Sequence, residues 1–61
     1  MNDEMEAVAA VLEAESNVLR DLAEEARQLT DPAALAQNLR KREAQVRLFQ
    51  RVNEELAKRL V

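Results

Sequence analysis

Helical spacing of apolar residues runs from Met5 to Leu60 with one interruption, at Thr30-Asp31-Pro32. Proline has no amide hydrogen to donate, and its ring disfavours the α conformation in the residue before it. Asp is among the strongest helix N-caps, and Pro suits the first helical position after it. The tripeptide therefore predicts that one helix ends near Leu29 or Thr30 and a second begins at Pro32. The competing reading is one long helix kinked at the proline. The cap chemistry favours the turn, while the lack of any Gly to terminate the first helix is the feature against it.

Each half carries its own seam. In the first, Met5, Val8, Leu12, Glu15, Leu19, Leu22, Ala26 and Leu29 follow one another at three and four residues. Val11 and Val18 widen this stripe on one flank, and Ala9 and Ala23 widen it on the other. In the second, the seam reads Leu35, Leu39, Arg42, Val46, Phe49, Asn53, Leu56 and Leu60, with Leu48 and Val52 extending it sideways. A stripe broader than a two-stranded seam suits a helix with two or more neighbours. The expected architecture is all-α: one domain over residues 1–61, an antiparallel hairpin of helices at about 3–29 and 32–60. Two such hairpins are expected to assemble into a four-helix bundle or coiled-coil dimer.

Size points the same way. Ordering 61 residues costs roughly 1.5 kcal/mol each, and one small core seldom offsets that. The sequence contains no Cys, so no disulfide can help. With no His either, a transition metal would have only carboxylates, and no oxygen-rich loop is present for calcium or magnesium. No cofactor is expected. Ala, Glu, Lys, Leu and Arg dominate, with one aromatic residue, Phe49, too few for a sheet.

The longest uncharged apolar run, Ala7 to Leu12, is far short of the roughly 20 residues a membrane span needs. The first residues are acidic (Asp3, Glu4, Glu6), unlike a signal or transit peptide, so a soluble cytoplasmic protein is the expectation. The formal net charge is −3, which gives no general attraction for nucleic acid or anionic lipid. The charge is unevenly spread. Residues 1–31 hold nine acids and two bases, net −7; residues 32–61 hold seven bases and three acids, net +4. Antiparallel pairing of helix one with helix two, within or between chains, brings these opposite charges together.

Three seam positions are polar. A hairpin turning near residue 31 sets Glu15 within a helical turn of Arg42 and Val46, so a Glu15–Arg42 ion pair is one expectation. The other is that both side chains reach the rim and contribute little. Asn53 falls opposite Val8 and Met5, where it either fixes register and oligomer number or faces water near the chain end. No second acid or base stands beside Glu15 to make a catalytic pair, and no enzyme activity is expected. Arg40, Arg47, Arg51 and Lys58 line the outer face of helix two. They could touch phosphates, but no aromatic residues accompany them for stacking. A solvated face, or a contact with acidic helices, is the favoured reading, and a nucleic-acid-binding module is the alternative. Leu48 and Val52 are surplus to the hairpin and are expected to meet a partner helix, with Phe49, Asn53, Val11 and Val18 around them.

The run Val11-Leu12-Glu13-Ala14-Glu15-Ser16-Asn17-Val18-Leu19 resembles the first helix of FlgN-type flagellar export chaperones. There, two apolar residues precede a Glu and two more follow it. A short break with an Asp comes next, and then a helix with leucines and a basic residue. Val11, Leu12, Glu15, Val18, Leu19, Asp31, Leu35, Leu39 and Arg42 fit this pattern. The resemblance implies a helical chaperone that holds an export substrate's amphipathic terminal helix until secretion. The chain is shorter than that family's proteins and has no counterpart of their further carboxy-terminal helix. The functional expectation is a non-catalytic chaperone or adaptor that binds itself, a partner's amphipathic helix, or both.

Overall fold

The structure, a computed structural model, describes residues 3–61. Two helices account for nearly all of them: α1, Asp3–Gln28, and α2, Pro32–Leu60. No strand occurs among the described residues. The helices pack against each other as an antiparallel hairpin, and the boundaries fall within a residue or so of those expected from the sequence.

The turn forms by the cap chemistry at Asp31. Its backbone is extended, at φ −100° and ψ 123°, and its carboxylate accepts a hydrogen bond from the Ala33 amide at 3.2 Å. One otherwise unpartnered amide of the first turn is thereby satisfied. The Leu35 amide then donates to the Asp31 carbonyl at 3.0 Å, the first full helical bond of α2. Without a Gly, α1 closes by a tightened turn in which the Leu29 amide donates to the Ala26 carbonyl at 3.2 Å. The ends carry matching charge: Asp3, Glu4 and Glu6 open α1, and Lys58 and Arg59 close α2.

The hairpin is elongated. Its Cα atoms span 48 × 18 × 7 Å with a radius of gyration of 14.7 Å. A compact chain of this length would have a radius near 10.5 Å. Solvent-accessible area is 5086 Å², against about 4,000 Å² for a globular protein of the same mass. Among the described residues no apolar side chain is fully buried, and the one buried residue is polar, Asn38 at 4% exposure.

Candidate protein-interaction surface

The line of direct contact between the helices differs from the seam expected on α2. That seam includes Leu35, Leu39, Arg42 and Leu60, yet all four are exposed, Leu39 at 56%, and on α1 the seam residues Met5 and Leu12 are exposed as well. Ala34, Asn38 and Gln45 take the inward positions in the first half of α2, and Val46, Phe49, Asn53 and Leu56 in the second. The connection explains the change. Only Leu29, Thr30 and Asp31 join the helices. So short a link holds the axes close near the turn, where part-buried Ala26 and Ala34 fit and paired leucines would wedge them apart.

Asn38 clips this end together. Its side-chain amide donates to the Leu22 carbonyl at 3.0 Å and to Glu25 Oε1 at 2.8 Å. Glu25 Oε1 also lies 3.8 Å from Lys41 Nζ, an exposed pair worth little by itself. Sequence reasoning passed over Asn38 because it stands among leucines one position off the assumed seam. Its spacing of four from Ala34 was the available signal.

The expected Glu15–Arg42 pair does not form. Arg42 is exposed and in no ion pair among the described residues, and Glu15 Oε1 instead accepts from the Asn53 amide at 3.2 Å. Helix geometry gives the reason. Cα–Cβ bonds tilt toward the helix N-terminus, so α1 side chains lean away from the turn and α2 side chains lean toward it. Glu15 therefore meets a residue further along α2 than simple fold-back predicts. Asn53 is half-buried here, within the seam rather than facing water. Two acceptors in this pair, Glu15 Oε2 and Asn53 Oδ1, are closed to solvent and have no hydrogen-bond partner among the described residues.

Apolar area lies on both flanks of this polar line. On one, Val11, Ala14, Val18, Leu48, Phe49 and Val52 line a groove of about 240 Å³, with Glu15 among its lining. Leu48 is 47% and Val52 37% exposed, so neither is absorbed by the hairpin. On the other, Leu12, Ser16, Leu19, Val46, Phe49 and Gln50 line a groove of about 290 Å³ together with Glu15 and Asn53. A second depression of about 200 Å³ continues it past Val8, Leu56 and Leu60. The exposed Leu12, Leu35 and Leu39 extend this second flank along the hairpin.

The outer face of α2 is partly self-neutralised. Arg47 Nη2 pairs with Glu43 Oε1 at 3.2 Å, and Lys58 Nζ lies 3.6 Å from Glu55 Oε2. Among the described residues there is no cluster of acids able to hold a metal ion, and no helix is long and apolar enough to cross a membrane. No family model, curated protein or solved structure matches the chain.

Proposed function

We propose that this protein is a non-catalytic, cytoplasmic helical interaction module that self-associates and holds an amphipathic helix of a partner protein. The observation that carries this reading is the placement of its apolar residues. No apolar side chain is buried among the described residues, while large ones line both flanks. The accessible area exceeds that of a globular chain of this mass by about 1,100 Å². A specific interface uses about 800 Å² per partner, so the surplus is the size an assembly would remove. Two flanks allow two helical neighbours, as in a four-helix bundle. The resemblance to FlgN-type chaperones suggests the class of client: the amphipathic terminal helix of an export substrate.

Concentration-dependent stability tests the reading. A homodimer has a melting temperature that rises with protein concentration, since only the folded state is drawn into the complex. Its mass by light scattering should be twice the 6.9 kDa of the chain or more. A monomer with a cooperative, concentration-independent melt contradicts self-association.

A further inference from the structure

We infer that the outward seam of α1 is the surface on which a second copy of this chain docks, antiparallel, helix one against helix one. This rests on the self-association proposed above and assigns it to one flank, leaving the Leu48–Val52 groove for a partner's helix.

The seam is Met5, Ala9, Leu12, Ser16, Leu19 and Ala23, spaced by fours and threes. Met5, Ala9, Leu12, Ser16 and Ala23 are exposed, and Leu19 is half-exposed. Large and small residues alternate along it. Two copies of α1 laid antiparallel about a two-fold axis at Ala14 set Met5 against Ala23, Ala9 against Leu19, and Leu12 against Ser16. Every large side chain then meets a small one, the arrangement that lets facing layers interdigitate. A parallel pairing would set large on large and small on small.

Charge selects the same orientation independently. One edge of this seam carries Glu6, Glu13, Arg20 and Arg27, each seven residues from the next. All four are exposed, and none is in an ion pair among the described residues; Arg20 hydrogen-bonds Asn17 of its own helix. Acids occupy the first half of the row and bases the second. About the axis at Ala14, antiparallel self-pairing brings Glu6 nearest Arg20 of the copy, twice over by symmetry, and sets Glu13 beside its own counterpart. Parallel pairing would stack acid on acid. On α2 the matching edge, Ala36, Glu43, Gln50 and Ala57, holds a single charge. The same two-fold axis can therefore lay α2 on its own copy without a repelling row.

The test reverses half of the row at a time in the full chain, with sedimentation equilibrium at low salt as the readout. Glu6→Arg with Glu13→Arg makes the row wholly basic, and Arg20→Glu with Arg27→Glu makes it wholly acidic. Each variant alone should dimerise roughly a hundredfold more weakly than the natural chain, and the mixture should recover a dimer of one copy of each. Circular dichroism should show unchanged helix content, because all four positions are exposed. Three outcomes overturn the inference. Variants that each dimerise like the natural chain place the interface elsewhere, with self-association intact. A stronger dimer from the acidic variant alone means that α1 meets the basic α2 of the copy instead. A natural chain that is monomeric at every concentration refutes the proposed self-association along with the assignment.

Discussion

Glu15 and Asn53 offer the sharpest quantitative test of the hairpin, because their partnership is half complete. One hydrogen bond joins them at 3.2 Å, and two further acceptors are enclosed without donors. Asn53→Leu removes the only donor Glu15 has among the described residues and leaves both of its carboxylate oxygens without a partner there. A hydrogen bond to a charged group contributes about 1.5–3 kcal/mol when buried; both residues here are half-buried, so the lost bond costs about 1–2 kcal/mol, offset by roughly 1 kcal/mol of new apolar burial, for a net loss near zero to 1 kcal/mol. Glu15→Leu strands the Asn53 amide but adds apolar burial of roughly 1 kcal/mol, for a net change near zero to 1 kcal/mol of loss. The double substitution leaves no stranded polar group and sets two leucines in contact. It should be more stable than the natural chain by about 1–3 kcal/mol, as when a buried polar pair is replaced by well-packed apolar residues. Urea denaturation of the four proteins at one fixed concentration completes the cycle. If the double variant's change equals the sum of the single changes to within about 0.5 kcal/mol, the two side chains do not interact and the seam register described here is wrong.

Three further outcomes follow from the same geometry. Asp31→Ala should destabilise the fold by roughly 0.5–2 kcal/mol in thermal or urea melts, since it leaves the Ala33 amide without its acceptor. Asn38→Ala removes two hydrogen bonds from the most buried side chain and should cost about 1–3 kcal/mol; Asn38→Asp, which faces a carboxylate and a carbonyl with another carboxylate, should cost more. Leu48→Asp combined with Val52→Asp should leave helix content and homodimer mass unchanged while abolishing capture of an amphipathic partner helix; loss of helical circular dichroism would show that these residues belong to the hairpin's own packing.

Legibility in the sequence followed the range of the interactions involved. The turn was readable because Asp31 and Pro32 act on their immediate neighbours, and the Ala33 amide contact needs nothing from the rest of the chain. The helices were readable because heptad spacing is local too. Which residue of α2 faces which residue of α1 was not. That depends on the rotation of one helix about its axis, set here by the short connection and by the room that Ala26, Ala34 and Asn38 leave between the axes. A rotation of a few tens of degrees moves Leu35 and Leu39 to the flank and brings Asn38 inward, while leaving the apolar count unchanged. The polar seam residue Glu15 is identifiable from the sequence, but its partner is Asn53, and of the two expectations for Arg42 it is the exposed one that the structure has. Fold-back arithmetic ignores the lean of side chains toward helix N-termini, and over two antiparallel helices the leans add.

The large apolar residues left on the flanks are the strongest reason to regard the hairpin as half of something larger. A two-helix unit meant to stand alone gains most by turning its largest apolar residues toward its single neighbour. Here Leu19, Leu22, Phe49 and Leu56 do turn inward, but Glu15, Asn38 and Asn53 share the line of contact with them, and Leu12, Leu39 and Leu48 stand on its flanks. In a four-helix bundle each helix has two neighbours, and side chains between those directions do the most burying. Flank leucines are then core leucines, and the polar residues along the direct contact act on register. A seam Asn specifies register because a slipped pairing leaves its amide unpartnered, at a cost in stability. Asn38 and Asn53 stand fifteen residues apart, each bonded to a different stretch of α1. A slip of one heptad would break both attachments together. Removing the polar line, as in the double leucine substitution at residues 15 and 53, should therefore raise stability and lower uniqueness at once. The gain would appear in urea melts and the loss as a mixture of assembled masses in sedimentation. A more stable variant that still sediments as one species would show that the flanks alone dictate how the copies meet.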